Sequence, residues 1–150
     1  MKVVATNKNA YHNYEILETF EAGIALTGSE VKSIREGRIS LKESYADFKG
    51  DELYLIDCNI SPYHGASYFN HQPTRERKLL LHRRELKRLA GKVQERGLTL
   101  IPTKVYLNDR GLVKVELALS RGKKTYEKRE AIKKRDVERE IRAEIKKRLG

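Results

Sequence analysis

Tyr14–Leu26 reads YEILETFEAGIAL, and Thr27–Gly37 continues TGSEVKSIREG. In the first string apolar and polar residues alternate or nearly so, which is the period of a half-buried strand, and Glu21-Ala22-Gly23 offers a turn in the middle. The expectation is two paired strands. In the second string Thr27-Gly28-Ser29 supplies hydroxyl caps. Val31 and Ile34 then fall three apart, Gly37 offers a stop, and Lys32 and Arg35 are left facing outward. A short helix after a strand pair sets the theme of the chain.

The rest of the sequence extends it. Ser44–Phe48 and Glu52–Ile56 are β-rich runs separated by Lys49-Gly50-Asp51, a good hairpin turn. Tyr63–Pro73 is rich in Gly, Ser, Asn, His and Pro, and is expected to be a long surface loop. From Arg75 to Arg96 the pattern turns helical, with Leu86, Leu89, Ala90 and Val93 at i, i+3, i+4 and i+7 forming a buried stripe. Arg83, Arg84, Lys87, Arg88 and Lys92 remain in water. Thr99–Tyr106 and Leu112–Leu119 form a last hairpin across Asn108-Asp109-Arg110-Gly111. Roughly six strands with no parallel βαβ rhythm describe a mainly β domain with flanking helices. A closed or partly closed antiparallel barrel is favoured, because closure removes exposed edges.

Charge divides the chain further. Of the net +11, residues 1–73 carry −3, 74–96 carry +6, 97–120 carry +1 and 121–150 carry +7. The composition shift at Arg121-Gly122-Lys123-Lys124 marks a boundary between a body, 1–120, and a basic C-terminal tail, 121–150. In the tail Val137, Ile141, Ile145 and Leu149 recur every four residues on a stripe too thin for a well-buried helix, so it is expected to be largely disordered alone and helical on a partner. Segregated positive charge at a sequence pI near 9.8 suits neutralisation of phosphates, with acidic membrane surfaces as the competing partner. In 74–96 only Glu76, Glu85 and Glu95 face nine bases, so much of that charge lacks an acidic i,i+4 partner. No run approaches the ~18 apolar residues of a membrane span, and the start MKVVATNKNAY has no apolar leader core. A single Cys58 excludes an internal disulfide framework and fits a reducing compartment, and the cytoplasm is the expected location.

Signals for catalysis are weak. His12, His64, His71 and His82 are scattered without HxxxH or HExxH spacing, and there is no GxxxxGK[ST], GxGxxG or GxSxG string. Asp51-Glu52 sits in a turn and is more simply solvating. No metal, no cofactor and no enzyme are expected, with a nuclease using Asp51, Glu52 and His64 as the catalytic alternative.

Longer strings are more specific than composition. Asn7-Lys8-Asn9-Ala10, then Tyr14-Glu15-Ile16, then Glu21–Gly37 (EAGIALTGSEVKSIREG) resemble the signature of small protein B, the family of bacterial SsrA-binding proteins. RERKLLLH at 75–82, GLTLIP at 97–102 and GKKTYEKR at 122–129 resemble three further family blocks, in order, so the resemblance covers nearly the whole chain.

The resemblance implies an oligonucleotide-binding barrel that grips the tRNA-like domain of transfer-messenger RNA (tmRNA) and delivers it to stalled ribosomes for trans-translation. It implies Asn7, Lys8, Gly28, Glu30, Lys32, Ser33 and Arg35 for the tmRNA face, and Arg75, Arg77 and Lys78 as further RNA contacts. Lys32 and Arg35 can reach phosphates, Gly28 permits close approach, and Glu30 can accept from a base or ribose hydroxyl, although helix capping explains Glu30 equally well. The resemblance also implies that Gly122, Lys123, Lys124, Tyr126, Glu127, Lys128 and Arg129 act in the decoding centre and messenger channel of the small ribosomal subunit, and that elongation factor Tu is met through alanyl-tmRNA. Tyr126 stands where many relatives have His, so stacking is kept and a protonatable ring is lost; Glu127, often Asp in relatives, keeps its carboxylate. A general structured-RNA-binding or ribosome-associated barrel protein is the alternative.

Overall fold

The computed structural model describes residues 1–64 and 70–123. Nine strands and three helices form among them: β1 (Lys2–Thr6), α1 (Lys8–Asn13), β2 (Tyr14–Ile24), α2 (Gly28–Arg35), β3 (Ile39–Ser40), β4 (Tyr45–Lys49), β5 (Glu52–Ile56), β6 (Asn59–Ile60), β7 (Arg77–Leu80), α3 (Arg83–Arg96), β8 (Thr99–Leu107) and β9 (Val113–Gly122). All pairings are antiparallel. The main sheet runs β1-β8-β4-β5-β7-β2-β9, and β9 pairs again with β8, so six strands close into a ring with β1 appended. The expected barrel is therefore present. At the β4–β8 seam a single residue pair, Ala46 opposite Leu100, completes the ring. The remaining edge of β8 is taken by β1 at Lys104–Leu107. A separate two-stranded ladder joins β3 to β6.

The first expectation needs correction. Tyr14–Leu26 is not two strands around a turn but one 11-residue strand, paired with β9 from Tyr14 opposite Gly122 to Gly23 opposite Lys114. Glu21-Ala22-Gly23 lies inside that ladder. Its glycine answers a packing demand, since a Cβ on Gly23 would sit 3.3 Å from the Leu80 Cβ of β7. Gly50 does what a turn glycine should, with φ +64 in the two-residue link between β4 and β5. The second correction falls on Arg75–Arg96. Its first part is strand β7, with Arg77 and Leu79 inward and Lys78 and Leu80 outward, and the helix starts only at Arg83. β9 and its pairing run through Gly122, two residues past Ser120.

The core is shared by strands and helices. Leu53, Leu55, Leu79, Leu100, Val105, Val115, Leu117 and Leu119 fill the ring, and Ile34 of α2 and Leu89 of α3 are buried with them. On β8, Leu100 and Val105 are five residues apart yet both point inward, because a bulge between Pro102 and Lys104 shifts the alternation by one. The expected stripe of α3 is present: Leu89 is buried, and Leu86 and Val93 pack on the cluster. Arg88 and Lys92 of α3 pair with Glu18 of β2, and Lys78 with Glu52, so part of the 74–96 charge has counter-ions on other elements, which i,i+4 spacing could not reveal. Cys58 is a core residue, its thiol pushed up by burial to about 12. Within the expected loop at Tyr63–Pro73, Asn70 binds the backbone of Tyr63 in both directions, at 3.1 and 2.8 Å.

Candidate nucleic-acid interface

The α2 surface is built from its N-terminus upward. The Thr27 side chain accepts from the Glu30 amide and the Glu30 carboxylate accepts from the Thr27 amide at 2.8 Å, a complete capping box. Glu30 is fully buried and also receives the guanidinium of Arg75 at 2.6 Å and that of Arg77. Burial by itself raises the Glu30 carboxyl, but hydrogen bonds from Arg75, the Thr27 amide and Arg77 outweigh it and hold its pKa at about 2. Arg77 is equally enclosed. It donates to the carbonyls of Cys58 (2.8 Å), Gln72 (3.3 Å) and Pro73 (3.1 Å), tying α2 to β6 and to the chain that enters β7. His71 adds a second tie, bridging the Ser29 hydroxyl and the Ile60 carbonyl at 2.8 Å each.

This frame divides the expected site. Lys32 and Arg35 are exposed on α2, and a Cβ on Gly28 would meet nothing within 4 Å, so the cations and the open backbone stand as expected. Glu30 and Ser33 are buried and Arg77 is enclosed; Glu30 and Arg77 are engaged with each other and with the backbone, whereas the buried Ser33 hydroxyl has no hydrogen-bond partner among the described residues. Arg75 is half-exposed but bound to Glu30, and Lys78 pairs with Glu52 at 3.2 Å. Asn7 is buried as well: it caps α1 by accepting from the Ala10 amide and donates to the Pro102 carbonyl at 3.0 Å. Lys8 is exposed, but on α1, which precedes β2, whereas α2 follows it. Asn7 and Lys8 share a hollow with Ile39, Ser40, Leu41 and Lys42, on the segment that follows α2. Gly122 ends β9, Lys123 donates its amide to the Asn13 carbonyl at 2.9 Å, and Lys124, Tyr126, Glu127, Lys128 and Arg129 lie outside the described residues.

Around α2 the structure adds residues that composition did not reveal. Tyr63 lies under Lys32, whose Nζ is 5.4 Å from the ring centroid, and Arg38 contacts His64 at 3.2 Å. On the other flank a groove of about 290 Å³ runs between α2 and the ends of β2 and β9. Its floor includes Ile24, Leu26 and the exposed Leu80 and Leu112, and its rim carries Arg35 and Lys114. Leu80 could have been suspected from its place in a strand one residue out of phase with buried Leu79; Leu112 and Lys114 carried no sequence signal. Among the described residues no three of His, Cys, Asp and Glu gather into a metal-holding group, and no helix is long and apolar enough to cross a membrane.

A ring of antiparallel strands flanked by an outward cationic helix and an apolar groove with a positive rim defines a small β-barrel protein of the polyanion-binding class. The family model described as SmpB protein matches residues 4–147, and the chain belongs to that family. It is 59% identical over 146 residues to the SsrA-binding protein of Persephonella marina, covering 97% of this chain and 95% of that one. It is 58% identical over 148 residues to the SsrA-binding protein of Moorella thermoacetica, covering 99% and 96%. A solved structure described as "tmRNA-SmpB: a journey to the center of the bacterial ribosome" superposes with a TM-score of 0.69 at 55% identity, over 83% of this chain and 87% of that one.

Proposed function

We propose that this chain binds the tRNA-like domain of tmRNA and brings it to stalled ribosomes for trans-translation, acting as an RNA-binding factor in the cytoplasm and not as a catalyst. The observation that carries the reading is the α2 surface: Lys32 and Arg35 stand outward on a helix locked by a buried Glu30–Arg77 pair, beside an apolar groove rimmed by Arg35 and Lys114. The cations position a phosphate backbone and the apolar floor accepts the face of an unstacked base. The names of the relatives and of the structural neighbour support the same partner. Residues 124–150, with eleven Lys/Arg against six Asp/Glu, then reach the messenger channel and decoding centre of the small subunit, and elongation factor Tu is met through alanyl-tmRNA.

The test is a fluorescence titration against the tRNA-like domain, an elongator tRNA and an unrelated hairpin at two salt concentrations. Tighter binding of the tRNA-like domain that persists at the higher salt is the expected result. Convergence of all three affinities would reduce the chain to a general binder of structured RNA.

A further inference from the structure

A hollow of about 260 Å³ opens between the tip of the β4–β5 hairpin and the first turns of α3. From α3 it is lined by Arg83, Leu86, Lys87 and Ala90, which stand at i, i+3, i+4 and i+7 on one face of the helix, and from the hairpin by Phe48, Asp51 and Glu52. None of these residues lines the α2 groove or the hollow at Asn7 and Lys8. Phe48 and Leu86 are half-buried and pack on the core, so the hollow has an apolar floor fixed from beneath. Its helical wall is cationic. Arg83, Arg84 and Lys87 are exposed, and no ion pair among the described residues reaches any of them, whereas Arg88 is paired with Glu18 and Lys78 with Glu52. The same turn begins α3 without a side-chain cap, which adds the positive end of the helix dipole to that wall.

We propose that this hollow docks an acidic segment of a partner protein. One large apolar side chain of the segment sits on Phe48, Leu86 and Ala90, and its carboxylates meet Arg83, Lys87 and the open first turn of α3. Two features select a peptide over RNA. No Asn, Gln, Ser or Thr lines the hollow to read a base edge. Asp51, exposed and without an ion pair among the described residues, stands on the opposite rim, where it repels a continuous phosphate backbone, while a peptide can place its carboxylates on the α3 side alone. The rim of the α2 groove differs, because it carries Arg35 and Lys114 and no carboxylate. The inference uses no residue assigned to RNA and stands whichever RNA the α2 face holds.

The test uses the full chain and labelled probes: a glutamate-rich peptide of about 14 residues with two leucines four apart, the same peptide with both leucines replaced by alanine, a mixed-sequence single-stranded RNA, and the tRNA-like domain. The wild-type chain should bind the leucine peptide about tenfold more tightly than the alanine peptide, the effect of burying one large apolar side chain. Ala90→Gln fills the hollow without changing charge. It should abolish that preference and leave the affinity for the tRNA-like domain within twofold. Arg83→Gln with Lys87→Gln should weaken both peptides about fivefold, as expected for two exposed ion pairs, and the single-stranded RNA by less than twofold. A wild-type chain with no preference for the leucine peptide would overturn the proposal, as would a preference that survives Ala90→Gln. An equal loss of peptide and single-stranded RNA in the double variant would give this face to RNA and overturn it as well. If Ala90→Gln lowers the thermal transition, the double variant, confined to exposed side chains, decides by its contrast between peptide and RNA. Failure of the tmRNA reading shows separately, as a wild-type chain that does not prefer the tRNA-like domain to an unrelated hairpin.

Discussion

Glu30 is the residue on which the α2 surface turns. One carboxylate closes a capping box and pairs with two guanidinium groups, one of them with no exposure at all. Its pKa in the fold is about 2 against an ordinary 4.5, so the stability it supplies is complete above pH 4.5 and is lost as pH falls from 4.5 toward 2. Acid titration of the thermal transition should show this loss, about 3 kcal/mol by linkage, and Glu30→Gln should remove that part of the pH dependence. The same substitution leaves the enclosed Arg77 charge uncompensated, and its neutral-pH cost should be about 3 kcal/mol or more. A melt of Glu30→Gln within about a degree of wild type at pH 7 would contradict the role given to the pair. At the exposed positions the readout is different. Lys32→Ala and Arg35→Ala should each weaken the tRNA-like domain by about 1–3 kcal/mol and leave the melt unchanged. If neither alters binding, the interface lies elsewhere on the barrel.

At the scale of elements the helices differ in how they begin. α2 has a full capping box, whereas α3 starts at His82 with no side-chain cap and with Arg83 and Arg84 at the positive end of its dipole. His82→Asp should supply both the missing acceptor and a favourable charge, raising stability by about 1 kcal/mol in a thermal melt. Leu89→Ala in the same helix should cost about 2–5 kcal/mol, since its side chain is wholly inside the core. Elements defined by a local period were legible: the stripe of α3, the hairpin at Gly50, the β8–β9 pair and the extent of α2 follow from spacing and turn residues. Those defined by a distant neighbour were not. Glu21-Ala22-Gly23 has the composition of a turn, and only the nearness of Leu80 explains its glycine within a strand. Arg75–Leu80 has the charge of a helix face, and only Glu30, 47 residues before Arg77, explains why Arg77 points inward. The exposed cations of the site could be read directly, while the division between presented and buried members of the motif required the fold.

For the whole molecule the segregation of charge predicts a division of labour. Truncation after Lys123 keeps every β9 pairing and should leave affinity for the tRNA-like domain nearly intact while abolishing tagging on stalled ribosomes. Truncation after Ser120 removes Arg121 and Gly122, which pair with Glu15 and Tyr14, and should also lower the thermal transition. Equal loss of RNA affinity and tagging in the longer truncation would contradict the division. The β2–β9 ladder has a mechanical consequence as well. The α2 surface is joined to one end of β2, and the chain departs from β9 at the other end of the same ladder. A tension drawn between an RNA gripped at α2 and a segment held beyond Lys123 runs along the strands, at right angles to their hydrogen bonds, so the rungs share the load together instead of opening one by one. The ladder is a strut under shear, and the barrel can carry strain between its two attachments without unzipping.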